Sequence, residues 1–382
     1  MKITGIRTHI VMPIDTLAWV FVEVDTDEGL SGLGECTEYI GNPHLVRGLE
    51  AIKPLVIGTD PRHIEEIWQR LFHAYSNLNG RGYISPLIST IDIALWDLRG
   101  KMLGVPIYDL LGGPVRDSVP LYTHVRDQWH SDDLDGMVSQ AKQAKQAKQA
   151  KEQGYQAIKT DPFPQTQAVG SAFKDAHQVE RLDPNPVAQA LHWMEALREA
   201  VGPDYELMVD AHGRFDVAST IKASQALAPI DLVWFEEPTH VESDNVLRQI
   251  RENTDVPLCV GERHFTRWDY WQLLNDRLVD YVMPDVAWCG GISEWRRIAT
   301  MAEVQYIRVS PHDARARSLW PHPSNSVWQR PISTVKNVCT LGSPEWQDSS
   351  RHFSTSATAR SIPMDDLGWV SNSTWTASET IA

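Results

Sequence analysis

The sequence has few cysteines and no long apolar run. Its four cysteines, Cys36, Cys259, Cys289 and Cys339, are too widely spaced to suggest a local metal motif, so we predict that they are reduced and take no part in the chemistry. No apolar stretch approaches the ~20 residues that a membrane-spanning helix needs. The N-terminal segment also lacks the apolar core of a secretion signal. We therefore expect a cytoplasmic protein without a membrane partner.

Positive charge is also in short supply. The chain has 35 Lys and Arg residues against 50 Asp and Glu, which gives a net charge of −15. Such a balance disfavours nucleic acid or an anionic membrane as the main partner and favours a small molecule. With 382 residues, the chain is too long for one ordinary domain. A barrel of about 250 residues with a smaller second domain would account for the length.

The order of strand and helix patterns predicts two domains. Strand patterns at residues 2–11, 18–25 and 32–35 are followed by helical periodicity as far as residue 101. Strands and helices then alternate, starting with a strand at 119–124. We predict an α/β fold consisting of a (β/α) barrel, a modified TIM barrel, with an N-terminal α+β capping domain. The predicted bounds are 1–118 for the cap, 119–340 for the barrel and 341–382 for a C-terminal tail.

Three carboxylates stand at equal intervals along the barrel region. Asp210, Glu236 and Glu262 each follow a short apolar run that is typical of a β-strand, and the spacing is 26 residues both times. This is about the length of one strand and one helix, so the three side chains should end neighbouring strands on one rim of the barrel. Three converging oxygen ligands are typical of a Mg²⁺ site that leaves positions open for water or substrate.

Two further strand ends continue the series. Asp285 comes 23 residues after Glu262, and His312 comes another 27 residues later. On neighbouring strands, Asp285 could orient the imidazole of His312 and raise its basicity, as is common for a general base. His212 lies two residues after Asp210 and should point to the same side. Lys159 ends the second strand, where its ammonium group could bind a carboxylate.

These residues belong to motifs that together resemble one family. The motifs are Leu95-Trp96-Asp97-Leu98-Arg99-Gly100-Lys101, Leu110-Leu111-Gly112-Gly113, Val209-Asp210-Ala211-His212-Gly213-Arg214-Phe215, Phe235-Glu236-Glu237-Pro238, Gly261-Glu262-Arg263, Pro284-Asp285, Gly290-Gly291-Ile292 and Ser310-Pro311-His312. Each is weak alone, but their order and spacing are specific. Over roughly residues 1–314 the chain resembles the enolase superfamily, in its mandelate racemase subgroup. The Asp-x-His-Gly-Arg and Gly-Glu-Arg segments are most similar to dehydratases of galactonate, gluconate and related aldonates.

The resemblance implies a mechanism and a set of roles. The three carboxylates would hold Mg²⁺ against the substrate carboxylate and stabilise the enediolate that forms when the C2 proton leaves. His312, oriented by Asp285, would be the base, and His212 would be the acid for the departing 3-hydroxyl. The product would be a 2-keto-3-deoxy acid. Lys159, Arg263 and His264 are assigned to substrate binding, and the resemblance also implies a homo-oligomer.

Some alternatives remain open at this point. Lys159 matches the first lysine of the subgroup's Lys-x-Lys motif, but Asp161 replaces the second. This replacement disfavours a racemase or cycloisomerase with bases on both faces and favours a dehydratase. His212 could instead support the metal ligands. Lys159 could pair with Asp161, and Arg263 and His264 could be loop residues without substrate contact.

The sequence after residue 314 departs from the family pattern. The family has a Gly-Pro, an Ala-rich helix and a strand with a Glu in this region, whereas residues 315–342 show no clear periodicity. A shifted reading frame accounts for the difference, because synonymous codons for residues 315–329 can spell Gly-Pro-Val-Ala-Leu-Ala-Ala-Ser-Ile-Gln-Leu-Gly-Leu-Ala. We therefore hypothesise that the chain is translated out of frame from about residue 315. An inactive homologue is then a further alternative.

Overall fold

The structure is a computed structural model, and it describes most of the chain. The described residues are 1–14, 17–36, 42–75, 82–115, 118–120, 122–125, 137–163, 184–240, 242–312 and 362–363. The predicted tail at 341–382 lies outside this part of the chain except for residues 362–363. The loop at 162–185, where we expect residues that select the substrate, also lies largely outside it.

The N-terminal part is an antiparallel sheet covered by helices. The three strands are consecutive neighbours in the sheet: β1 (Ile3–Ile14), β2 (Leu17–Thr26) and β3 (Ser31–Glu35). Four helices follow: α1 (Asn42–Val56), α2 (Ile64–Ala74), α3 (Ile84–Leu103) and the short α4 (Ile107–Leu110). The apolar faces of the sheet and of α1 to α3 form one buried cluster. The prediction of an α+β cap is confirmed.

The central part is a curled parallel sheet of seven strands, which forms half of a barrel. Its strands are β5 (Tyr122–His124), β6 (Ala157–Thr160), β7 (Glu206–Asp210), β8 (Trp234–Glu236), β9 (Leu258–Val260), β10 (Tyr281–Val282) and β11 (Arg308–Val309). They are hydrogen-bonded in chain order from β5 to β11. The expected (β/α) architecture is therefore confirmed for these residues.

Helices connect the parallel strands. They are α5 (Met137–Glu152), α6 (Pro184–Val201), α7 (Val217–Leu227), α8 (Asp244–Arg251), α9 (Thr266–Asn275) and α10 (Gly291–Val304). Their apolar faces pack on the outer face of the sheet in a second buried cluster. Among the described residues, no helix combines the length and the apolarity that are needed to cross a membrane.

One predicted strand is divided in two. We expected a single strand at 119–124, whereas the structure has β4 (Ser118–Val119) and β5 with Pro120 between them. Proline lacks the N–H that a continuous ladder needs, so the pairing changes at this point. β4 pairs with β12 (Ile362–Pro363) in a separate antiparallel ladder, whereas β5 begins the parallel sheet.

The interior of the half-barrel has an apolar layer below its carboxyl-terminal rim. It consists of Ala157, Met208, Trp234, Cys259 and Met283, one from each of five consecutive strands or strand ends. In a strand, side chains two residues apart share a face. Four of these positions lie two residues before Lys159, Asp210, Glu236 and Asp285, so these four polar positions come one layer nearer the rim.

The cap is joined to the barrel by hydrogen bonds that are buried or partly buried. Trp68 Nε1 on α2 donates to the Gly290 carbonyl oxygen at 2.8 Å. On α3, the Asp92 carboxylate accepts from the backbone N–H of Ser293 at 3.0 Å and from its hydroxyl at 2.5 Å. Trp96 Nε1 donates to the same hydroxyl at 2.9 Å. These contacts hold the cap against α10, which follows β10 and Asp285 in the chain.

Candidate active site

Three carboxylates converge at the rim of the half-barrel. Asp210 and Glu236 are register partners on β7 and β8, and Glu262 follows β9 by two residues. All three are buried, and one oxygen from each lies within 4.8 Å of the others. Buried carboxylate oxygens from three strands suit a hard cation such as Mg²⁺, with small adjustments of the side chains bringing them to bonding distance. The equal spacing in the sequence thus corresponds to convergence in space.

Lys159 lies between two of these carboxylates. Its Nζ atom is 3.0 Å from Asp210 Oδ2 and also donates to Glu236 Oε1. The second oxygen of Glu236 accepts from Trp234 Nε1 at 2.9 Å. We assigned Lys159 to the substrate carboxylate, and the structure places its ammonium group against the carboxylate cluster itself.

The local charges shift the pKa values of these groups. Burial, followed by the negative charge of Asp210, raises the pKa of Glu236 to about 8, although Lys159 opposes this. Burial would also raise the pKa of Asp210, but the nearby cationic groups outweigh it and hold that pKa well below its usual range. For Lys159, burial would lower the pKa, but the carboxylates outweigh it and raise the pKa. The cluster is thus a buried group of acids whose negative charge is balanced by neighbouring cationic groups.

His312 and Asp285 form a close pair on neighbouring strand ends. The two residues make a parallel β-bridge that continues the pairing of β10 with β11. His312 Nδ1 is 2.7 Å from Asp285 Oδ2, and its Nε2 is 3.0 Å from Glu262 Oε2. Burial would lower the pKa of His312, but Glu262 and Asp285 outweigh it and raise the pKa to about 10. The ring is therefore fixed beside the carboxylate cluster, with Nε2 facing it.

His212 flanks the cluster through Asp210. Its Nε2 is 3.5 Å from Asp210 Oδ2, and its Nδ1 is 3.3 Å from Asp161 Oδ2. The direction of the ring is set by a turn rather than by strand alternation, because β7 ends at Asp210 and the backbone of His212 has φ +55°. Its backbone N–H donates to Asp210 Oδ1 at 3.0 Å, which stabilises this left-handed conformation.

Arg263 connects the acids of two neighbouring strands. Its Nη2 is 3.0 Å from Glu262 Oε1, and its Nη1 is 3.4 Å from Glu237 Oε2. The guanidinium lies so close to Gly213 that an added Cβ would be 2.1 Å from Nη1. The Arg263 side chain could move aside, so the reason that this position favours glycine is the left-handed backbone of Gly213, with φ +68°. The Asp-x-His-Gly and Gly-Glu-Arg motifs are therefore in direct contact.

His264 differs from the other candidate residues. It is 7% exposed, and its Nδ1 has no hydrogen-bond partner among the described residues. Burial, and then the charge of Arg263, lowers its pKa to about 4, so the ring is neutral near pH 7. Its ring centroid is 5.6 Å from that of Tyr270. Its assignment to substrate binding remains a prediction.

Two supporting residues received no role from the sequence. Trp234 lies two residues before Glu236 on the same strand face, so strand alternation could have identified it. Glu237 is buried, and its Oε1 accepts from the Gly261 N–H at 2.8 Å. Gly261 has φ +149°, and an added Cβ would be 2.6 Å from the Met283 backbone nitrogen. Glu237 thus holds the turn that carries Glu262.

Comparison with known families assigns the chain to a family. A model of the mandelate racemase / muconate lactonizing enzyme N-terminal domain matches residues 7–112, and one of the enolase C-terminal domain-like family matches residues 142–338. The chain belongs to the enolase superfamily, in its mandelate racemase subgroup. The expected family is therefore confirmed.

Named relatives and a solved structure agree with this assignment. A D-galactonate dehydratase family member from Streptomyces bingchenggensis is 35% identical over 320 residues, covering 80% of this chain and 77% of the relative. A D-galactarolactone cycloisomerase from Agrobacterium fabrum is 33% identical over 324 residues, covering 82% and 78%. The crystal structure of a mandelate racemase/muconate lactonizing enzyme-like protein from Rubrobacter xylanophilus matches with a TM-score of 0.76 at 32% identity, covering 90% of this chain and 84% of that chain. The match to dehydratases supports a hydro-lyase at the level of the family.

Proposed function

We propose that this protein is a Mg²⁺-dependent dehydratase of a sugar acid, an aldonate such as galactonate, gluconate or a pentonate. The observation that carries the proposal is the His312–Asp285 pair, with Nδ1 2.7 Å from Oδ2 and Nε2 facing the carboxylate cluster through Glu262. This arrangement is suited to removing a proton next to a carboxylate that binds at the cluster.

His312 is the proposed base. In the metal-free chain the charges of Glu262 and Asp285 keep the ring protonated, so Nε2 would become available as a base when Glu262 holds the cation instead. Nε2 would then accept the proton from C2 of the aldonate, and the C–H bonding electrons would move toward the substrate carboxylate to give an enediolate. Asp285 fixes the ring from the other side, so that Nε2 stays turned toward the cluster. Removal of a well-placed general base typically costs about 10² to 10⁴ in rate.

His212 is the proposed acid on the other flank. The electrons of the enediolate form the C2–C3 double bond as the bond from C3 to its hydroxyl breaks, and Nε2 of His212 would give the proton that turns the departing hydroxyl into water. The resulting enol tautomerises to the 2-keto-3-deoxy acid. Asp161 stands where the subgroup's second lysine would be, and Arg214 Nη2 engages it at 2.7 Å. This favours a base on one side only.

The cation and the basic side chains would support the negative charge. Asp210, Glu236 and Glu262 would hold Mg²⁺, which supplies Lewis-acid stabilisation of the charge that develops on the substrate carboxylate. Lys159 and Arg263 already contact these acids and would place further positive charge at the same end of the substrate.

The direct test is product formation from a panel of C5 and C6 aldonates. The purified chain is incubated with Mg²⁺, and the release of 2-keto-3-deoxy acids is measured by mass spectrometry as the loss of one water. We expect turnover of at least one aldonate, and a loss of about 10³-fold or more in His312→Asn. His63→Asn is the matched control, because His63 is an exposed histidine that immediately precedes α2 of the cap.

A second candidate activity has one observation in its favour. The Agrobacterium fabrum relative is named a D-galactarolactone cycloisomerase and is 33% identical. Conversion of D-galactarolactone without loss of water, together with no keto-acid from any aldonate, would replace dehydration with cycloisomerisation. Formation of the C2 epimer of a supplied acid would instead identify a racemase.

A further inference from the structure

The two histidines of the candidate site are held in the same way. His312 Nδ1 faces Asp285 and its Nε2 faces Glu262, at 2.7 and 3.0 Å. His212 Nδ1 faces Asp161 and its Nε2 faces Asp210, at 3.3 and 3.5 Å. Each imidazole therefore lies between one carboxylate of the three-carboxylate cluster and one carboxylate outside that cluster.

Asp161 is itself held firmly. Its Oδ1 accepts from Arg214 Nη2 at 2.7 Å and from the backbone N–H of Phe163 at 3.1 Å, which leaves Oδ2 turned toward His212. Burial would raise the pKa of Asp161, but the Arg214 guanidinium and His212 outweigh it and lower the pKa. The Arg214 guanidinium lies 5.0 Å from the centroid of the Phe215 ring. The carboxylate is thus ionised and fixed from two sides.

We propose that Asp161 is a positioning residue for His212. By accepting at Oδ2 from the Nδ1–H of His212, it would fix the ring so that Nε2 faces the carboxylate cluster, where the leaving hydroxyl would lie. The role of His212 as an acid rests on the proposed dehydratase function. The contact between Asp161 and its ring does not depend on that function.

The competing explanation is that Asp161 serves only as an ion-pair partner of Arg214. A matched control separates the two explanations. Asp280 also pairs with an arginine, since its carboxylate accepts from Arg251 at 2.7 and 3.0 Å. It lies before β10, at the opposite end of the sheet from the carboxylate cluster. Asp280→Asn therefore weakens an Asp–Arg pair without touching either histidine.

The first measurement does not require catalysis. Crystal structures of the wild-type protein and of Asp161→Ala and Asp161→Asn, each grown with Mg²⁺, show where the His212 ring lies. We expect the ring to rotate away from its wild-type position in Asp161→Ala and to remain in place in Asp161→Asn, whose oxygen can keep accepting from Arg214 and Phe163 while its amide group donates to Nδ1 of His212. An unchanged ring in Asp161→Ala would overturn the proposal. If Asp161→Ala does not fold, Asp161→Leu takes its place.

The second measurement separates the two proton transfers. In D₂O, His312 can exchange the C2 proton of an aldonate for deuterium without the help of His212, whereas loss of water needs both residues. We expect Asp161→Ala to lose about 10²-fold in dehydration and less than about threefold in exchange. Asp161→Asn should recover part of the loss, and Asp280→Asn should match the wild type.

The double variant gives the final criterion. If Asp161 acts through His212, Asp161→Ala combined with His212→Asn should dehydrate no more slowly than His212→Asn alone. Equal losses of exchange and dehydration in Asp161→Ala, or additive losses in the double variant, would contradict the positioning role. Absence of both exchange and dehydration in the wild type would instead contradict the proposed function, and the crystal structures would still decide the role of Asp161.

Discussion

The Nζ atom of Lys159 lies 3.0 Å from Asp210 Oδ2, between neighbouring strands and fully inside the protein. Because both groups are buried, neither charge can be compensated by water. Lys159 is thus part of the charge balance of the three candidate metal-binding carboxylates as well as a candidate for substrate binding.

Replacing Lys159 should disturb this charge balance and lower the free energy of unfolding. Lys159→Met leaves the buried carboxylates without their nearest cation, so we expect a loss of about 3–5 kcal/mol in the free energy of unfolding in metal-free buffer. Saturating Mg²⁺ should reduce the loss, because the cation compensates the same carboxylates. Urea unfolding with and without Mg²⁺ measures both values. An equal loss in the two buffers would mean that Lys159 does not share the charge of this cluster.

Mg²⁺ should stabilise the folded chain through the three carboxylates. At about 100 times its dissociation constant, a ligand that binds only the folded state adds about 2.7 kcal/mol. We expect this gain in the wild type and its loss in Glu236→Gln, measured as the shift of the thermal unfolding midpoint. Glu242→Gln is the control, because the Glu242 side chain is 75% exposed. A full Mg²⁺ shift in Glu236→Gln would place the cation elsewhere.

The site residues that lie at strand ends could be predicted from the sequence. Asp210, Glu236 and Glu262 could be found because each ends or follows a strand, and parallel strands place such ends on one rim. Asp285 and His312 could be paired for the same reason, and the structure brings them into contact through a β-bridge.

Other contacts depend on loop geometry, which the strand pattern does not encode. The contact of His212 with Asp161 joins residues 51 positions apart and requires the left-handed backbone at His212. Lys159 could have reached Asp161 or a substrate, and only the three-dimensional arrangement directs it to Asp210 and Glu236. Residue type alone could not distinguish these partners.

The contact of Asp92 with Ser293, here called the joint between cap and barrel, should make the free energy of unfolding depend on pH. Burial raises the pKa of Asp92 from its ordinary value near 3.8 to about 7, although its hydrogen bonds with Ser293 oppose this. An acid with a higher pKa in the folded state binds its proton more readily there, so folding is favoured as the pH falls from above 7 toward 4. Asp92→Asn removes this contribution.

The measurement compares wild type and Asp92→Asn by urea unfolding at several pH values between 8 and 5. The free energy of unfolding of the wild type relative to the variant should rise as the pH falls, by on the order of 2–4 kcal/mol over this range. Glu242→Gln serves again as the control, since its side chain is 75% exposed. A difference that does not change with pH would show that Asp92 is already ionised at the joint.

The reading-frame hypothesis leads to a prediction about thermal stability and aggregation. The open edges of the parallel sheet are the structural reason for it. In the described part of the chain, β5 and β11 each pair on one side only within the seven-stranded sheet. A barrel of this class has eight strands, and open strand edges favour aggregation. A synthetic gene that encodes the shifted sequence from residue 315 would supply a helix and a strand that could close the sheet. We expect that chain to unfold at a higher temperature and to aggregate less than the present one in parallel thermal melts.

Sequencing of the source DNA is the independent check, and codons that cannot encode the shifted peptide would end the hypothesis.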